Sequence, residues 1–461
     1  MKLKIFVLLV LISLLFQGVV QSQDKSEFSL KEAQDYAIIN STAIKNSEID
    51  LLLAKKKIWE TTAIGLPQVS AQGNYQHVFE VPVLSIGGIS YLTTDLPSGT
   101  PITADDINNE RVTLGFEPFP PVPLAVKDNT TIDFTVSQLV FSGEYLVGLR
   151  ASRVYYSISD QNKLKIEDDT RESVANTYAL VLMLQSNLDV MRQSLDNLNK
   201  TLKEMQEMYK QGFIEVTDVD QIELTTLTLQ NGVNSMERQI NAAKDLLKYQ
   251  IGFPMDKDIF LTDELETLAQ QIDLESTISN DFNLKKNINF QLMETQVQLG
   301  KLNLQREKST FLPTLAAMYR HTEKFKKIEF DFMPVDIFLL TLNLPIFSSG
   351  QRWVKVQQRR LEYDKAINNR DDVGRGLQLE YINGRNELMN AYDNYTNVKK
   401  NLELTQRIYE KTLIKFREGL STSMELTQAQ NQMLSAQREY IGNMNALLTA
   451  KHKLVKLTTN Q

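Results

Sequence analysis

The chain has 461 residues, a formal net charge of −7, 42% hydrophobic residues, 12 prolines and no cysteine. The missing thiol excludes disulfide scaffolds, cysteine nucleophiles, cysteine-held metal and N-terminal cysteine lipidation, and three histidines leave little room for imidazole chemistry. With 57 acids against 50 Lys+Arg, the basic surplus that a phosphate backbone requires is missing, so no nucleic-acid partner is expected.

Residues 1–22 read as a signal peptide. Lys2 and Lys4 precede an apolar run from Ile5 to Phe16 broken only by Ser13, and Val20 and Ser22 are the small residues of a cleavage site, so the mature chain is expected to begin at Gln23. No later run is apolar over the about 20 residues that a spanning helix takes, so the mature chain is either soluble outside the cytoplasm or crosses a membrane as strands.

A helical segment, 23–67, ends at Leu66-Pro67. A β-hairpin, 68–142, follows. In its first strand Val69, Ala71, Gly73, Tyr75, His77, Phe79 and Val81 alternate with Ser70, Gln72, Asn74 and Gln76, and in its second Ile132, Phe134, Val136, Gln138 and Val140 alternate with Thr131, Asp133, Thr135 and Ser137. The connecting loop, 81–130, holds seven of the 12 prolines, so neither helix nor strand is expected to persist through it. It is read as a lid, a binding surface or an elaborated loop with no required role.

Segment 143–250 is two long helices around a tip at Gly212. Val174, Tyr178, Val181, Leu184, Leu188, Met191, Leu195, Leu198, Leu202, Met205 and Tyr209 recur at a mean step of 3.5, a coiled-coil seam. Val219, Ile222, Thr226, Leu229, Val233, Met236, Ile240, Ala243 and Leu247 form the returning seam. An equatorial segment, 251–280, then leads into a second copy of the plan: a helix, 281–313, ending at Leu312-Pro313; a second hairpin, 314–348; and a second helix pair, 349–461, with its tip at Gly419. The strand-to-helix turns Phe141-Ser-Gly143 and Phe347-Ser-Ser-Gly350 align, and the glycines are 69 residues apart from turn to tip in both copies. From proline to turn glycine the first copy is 39 residues longer, the whole difference being the loop. The turns differ by one residue, so strand and helix registers should differ by one between copies.

Four strands cannot close a membrane barrel, since the smallest have about eight. Open edges cannot face lipid, so several chains must share one barrel. Three chains give twelve strands, and that number suits the polar inner face, because eight would leave no room for water.

Together, the opening stretch FSLKEAQDYAIINSTAIKNSEIDLLLAKKKIWETTAIGLPQVSAQGNY, the turns SQLVFSGE and LPIFSSGQ, and KDLLKYQIGFP resemble the TolC family of outer-membrane efflux channels over nearly the whole mature chain. The resemblance implies a mostly α fold with a transmembrane β-barrel, in which a duplicated helix-strand-strand-helix repeat builds a homotrimeric twelve-stranded barrel continued by a twelve-helix periplasmic barrel. It implies an outer-membrane location in contact with lipid, passive export of small molecules or secreted substrates, a periplasmic adaptor protein and an inner-membrane pump of RND or ABC type.

By the same resemblance, Gly212, Phe213, Gly419, Leu420 and Ser421 match adaptor-docking tips, and Asp218, Glu425 and Gln428 match the periplasmic gate. An acid in the first turn of a helix is also favoured by the helix dipole alone, and that alternative stands beside the gate reading. Gln428 stands where a second acid is expected, and Ser421 and Phe416 stand where a base and a tyrosine are expected. Gate closure should therefore rest on packing at the tips. No cofactor or metal pattern and no catalytic motif is present, so an enzyme is not expected. A periplasmic coiled-coil adaptor or an envelope-spanning structural protein is the alternative, against which the duplicated strand pairs speak.

Overall fold

The computed structural model describes residues 26–85, 87–109, 111–279, 282–326, 331 and 333–458. The expected signal peptide and Gln23 lie outside them, as does part of the loop between the second pair of strands. The chain divides into two units: residues 57–152 with 302–359, and the remainder.

The first unit is built on an antiparallel sheet. Strands β2 (Gln68–His77) and β7 (Asp128–Phe141) form one hairpin, β9 (Thr314–Lys324) and β10 (Asp336–Asn343) the other, and β7 pairs with β9 to give the order β10-β9-β7-β2. The register answers the question that alternation posed. Val69 faces Val136, Val136 faces Tyr319, and Tyr319 faces Phe338, so the apolar sets of all four strands share one side. Ser70, Thr135 and Arg320 fall in one row on the other side.

On β7 the polar positions Thr131, Asp133, Thr135 and Ser137 are half-buried while Phe134, Val136, Gln138 and Val140 are exposed. Among the described residues, the outer strands β2 and β10 each keep one edge without a partner strand. Among the described residues, no helix is long and apolar enough to cross a membrane.

Three strand-level expectations need correction. The first strand ends at His77, short of Val81. The second hairpin, expected to run to 348, has its last strand end at Asn343, because Pro345 has no N–H to give a ladder; Leu344 and Ile346 lie outside it. The insertion is not irregular: β4 (Gly88–Thr94) and β5 (Val112–Pro118) form a hairpin within it, β3 (Val83–Leu84) pairs with β6 (Val122–Pro123), and a short helix spans Ala104–Asn108. Most of its prolines fall at element ends or between elements. The proline-free stretch Gly88–Thr94 and Val112–Glu117 were left able to pair.

In the second unit, the opening helical segment is two helices, α1 (Leu30–Asn40) and α2 (Thr42–Ala63), divided at Ser41, and α2 runs on into the first unit. Ser29 and Glu32 start α1 as a reciprocal capping box. β1 (Glu27–Phe28) pairs in parallel with β8 (Phe260–Leu261) of the equatorial segment. Buried Tyr178 ties the pair to the first long helix: its hydroxyl donates to the Phe28 carbonyl at 2.9 Å and accepts from the Asp263 N–H at 3.3 Å. Burial pushes this phenol above its ordinary range.

The long helices follow the seams. Numbering the Ala104–Asn108 helix α3, α4 is Gly143–Lys210 and α5 Val216–Ile251; after α6 (Leu265–Gln270), α7 (Leu274–Ser279) and α8 (Ile288–Ser309), α9 is Gln351–Arg417 and α10 Ser423–Thr458. Val181, Leu184 and Leu188 of α4 pack against Val233, Ile240 and Ala243 of α5. Leu388 and Tyr395 of α9 join Tyr440, Leu447 and Leu454 of α10 in the largest cluster. A fully buried leucine such as Leu388 or Leu447 contributes about 2–3 kcal/mol of transfer free energy. Tyr209 departs from its predicted seam and is 47% exposed, since it lies in the last turn before the tip.

Candidate functional site at the paired helical tips

Both tips are made the same way. Gly212 (φ +78°) and Gly419 (φ +72°) take the left-handed conformation that L side chains resist. The Gly212 N–H donates to the Tyr209 carbonyl and the Phe213 N–H to that of Met208; Gly419 and Leu420 repeat this with Phe416 and Lys415. These are Schellman closures, which satisfy the last carbonyls of α4 and α9. Phe213 and Leu420, the residues after each glycine, are 71% and 72% exposed, so each tip presents one large apolar side chain outward.

Beyond the glycines the copies diverge. In the second, Thr422 and Glu425 form a capping box at the start of α10: the Glu425 N–H donates to Thr422 Oγ1 at 3.2 Å and the Thr422 N–H to Glu425 Oε2 at 3.0 Å. The Ser421 hydroxyl donates to the same Oε2 at 2.5 Å. These donors, Ser421 foremost, hold the Glu425 carboxyl below the ordinary glutamate range. The first-turn alternative thus describes Glu425 locally, and Ser421 serves this acid.

In the first copy, Asp218 has no such role. Its half-buried carboxylate accepts a short hydrogen bond from the Ser423 hydroxyl, at the start of the other return helix. Ser423 is buried, and beneath the bond Leu198, Met205, Val219 and Ile222 of the first helix pair pack with Phe416 and Leu426 of the second. The tips of one chain are therefore joined by an apolar cluster, the Asp218–Ser423 hydrogen bond and an exposed ion pair between Arg417 and Glu204 at 3.5 Å. The structure brings Asp218 into this junction, leaves Glu425 at its own cap and leaves Gln428 exposed.

The strand-to-helix turns are at the base of the same long helices. Gly143 is the first residue of α4, packed so that a Cβ would lie 2.7 Å from Leu312 Cδ1. Ser142 accepts from the Tyr145 N–H as a cap. The extra residue of the second turn is absorbed by two left-handed residues, Ser349 (φ 50°) and Gly350 (φ 81°), and α9 starts after them; Phe141 ends its strand, whereas Phe347 lies in the loop, 86% exposed.

Sequence reasoning missed Ser423, which no local pattern marks. It also missed a feature that pattern could have found. Tyr75 and His77 both bond Asp128 Oδ1, at 2.9 and 2.7 Å, and Tyr319 and His321 both bond Asp336 Oδ1, at 2.6 and 2.8 Å. Each hairpin thus carries Tyr-x-His on its first strand and Asp at the first residue of its second.

The sequence profile of the family described as outer membrane efflux protein matches residues 283–460, which contain the second helix, hairpin and helix pair. A comparison with curated proteins gave no match. Among solved structures, the outer membrane protein VceC of Vibrio cholerae aligns at a TM-score of 0.68 with 14% identity, covering 93% of this chain and 95% of that one. CusC aligns at 0.72 with 13% identity, covering 94% and 92%. The CmeC outer membrane channel of Campylobacter jejuni aligns at 0.70 with 14% identity, covering 93% and 85%. The structures bear out the TolC-like fold over nearly the whole chain, and the profile is similar to the second copy of the repeat, residues 283–460.

Proposed function

We propose, from the match of residues 283–460 to the outer membrane efflux protein profile and from the fold, that three copies of this chain form a passive outer-membrane channel. The carrying observation is the open four-stranded sheet. Val69, Val136, Tyr319 and Phe338 share one face, Ser70, Thr135 and Arg320 lie on the other, and the two outer strands have edges to give. Three such sheets joined edge to edge make a barrel of twelve strands, wide enough to hold water along the polar face.

The helix pairs form the periplasmic conduit, and the tips around Gly212 and Gly419 meet a periplasmic adaptor, with Phe213 and Leu420 as the exposed contacts. Cargo enters from that side, delivered by an inner-membrane pump that supplies the energy; the chain conducts and does not catalyse. Asp218 and Glu425 place acids near the entrance, where threefold symmetry repeats each one and attracts cations. Opening separates the tips and breaks the Asp218–Ser423 bond.

The test is to fractionate cells, purify the protein and record from planar bilayers. A trimer extracted from the outer membrane that conducts ions supports the reading. Recovery as a soluble monomer, or bilayers that never conduct, overturns it.

A further inference from the structure

The polar face of the sheet holds one cation that the fold leaves unpaired. Arg320, on β9, faces Thr135 on one side and Ile337 on the other, with Ser70 beyond Thr135. Among the described residues its Nε is buried without a hydrogen-bond partner, and no carboxylate pairs with the guanidinium. The neighbouring charges are already engaged. Asp133, one row away, accepts from Thr322 Oγ1 at 2.6 Å and Asn74 Nδ2 at 3.1 Å. Lys324 is held by Asp331 Oδ2 and the Met333 carbonyl, both at 2.7 Å.

An unpaired guanidinium on the concave side of a barrel wall faces water and whatever passes through it. Its planar fork matches two oxygens of a carboxylate, sulfonate or phosphate. Such a contact is strong enough to select an anion, and in a wet lumen weak enough to release it.

We propose that Arg320 is an anion-binding station inside the barrel, one from each chain, and that the exported cargo includes small molecules bearing a carboxylate, sulfonate or phosphate group. The proposal rests on the trimeric-channel reading. Three unit charges roughly 10 Å from the axis, in water and screened over a Debye length of similar size, change the local anion concentration about twofold.

The experiment measures reversal potentials of the full-length protein in planar bilayers under a potassium chloride gradient. Arg320→Gln is expected to lower the chloride-to-potassium permeability ratio about fourfold, since the same potential halves the cation as it doubles the anion, Arg320→Lys to preserve it and Asp133→Asn to raise it. Inorganic phosphate is expected to reduce the wild-type current and leave that of Arg320→Gln unchanged. Conducting Arg320→Gln pores with the wild-type ratio and phosphate response overturn the station and leave the channel reading standing. Wild-type protein that never conducts overturns the channel reading, and the station with it.

Discussion

Replacing Ser423 by alanine deletes the buried polar bond between the two helix pairs of a chain at their tips and leaves the exposed Arg417–Glu204 ion pair, at 3.5 Å, in place. The bond joins a buried hydroxyl to a half-buried carboxylate. Hydrogen bonds to charged groups contribute about 1.5–3 kcal/mol, and water can reach Asp218 once the hydroxyl is gone, so the lower end applies. A loss of about 1.4 kcal/mol from the closed state alone raises the open-to-closed ratio about tenfold for each chain that opens, and three chains opening together multiply that factor. Single-channel recording reads that ratio directly as the open fraction. Asp218→Ala should do the same, and the double variant should open no more than either single one, because both remove one interaction. Glu425→Gln is the control: glutamine also serves in a capping box, so that cap persists and the open fraction stays near wild type. A wild-type open fraction in Ser423→Ala, or additive effects in the double variant, would refute the idea that this bond holds the gate.

Two further outcomes are expected. Gly212 and Gly252 have nearly the same φ, +78° and +75°, but a Cβ at Gly212 meets nothing within 4 Å and one at Gly252 would lie 2.5 Å from the Asn40 carbonyl oxygen. Gly212→Ala should therefore cost only the left-handed strain, about 1–2 kcal/mol, while Gly252→Ala must displace backbone and should lower the yield of folded protein sharply; equal melting temperatures would contradict this. Half-buried His452 has its pKa pushed down to about 4 by desolvation first and by Lys451 second, against the pull of Glu172. A histidine depressed in the folded state favours folding above its unfolded pKa of about 6.5 and loses that contribution as pH falls through 4. Amide exchange near the end of α10 should accelerate over that window in wild type and not in His452→Gln.

The helical seams were legible because a 3.5-residue repeat writes the buried stripe into the chain, and Leu388, Leu447 and Val181 lie on it. The shared apolar face of the strands was legible in the same way, from period two. The insertion was misread because proline density was averaged over its length, while pairing is decided in windows as short as Gly88–Thr94. The Ser423–Asp218 bond was illegible for another reason. Its partners are 205 residues apart, and nothing local to Ser423 distinguishes it from Ser421, two positions earlier, which serves Glu425 instead. Long-range polar contacts are chosen by the fold after the helices have packed. The Tyr-His-Asp clusters were legible and overlooked, since their repetition shows only when the two hairpins are aligned.

The different uses of the two tip acids bear on how partners are counted. A trimer carries six helix pairs that look alike from outside, each ending in a glycine and an exposed apolar residue. A partner that reads only those features finds six equivalent seats. One that reads the junction where Asp218 meets Ser423 finds three. The same channel can thus be capped with threefold or sixfold stoichiometry according to which surface a partner recognises, and the unequal roles of Asp218 and Glu425 make that choice a property of the partner.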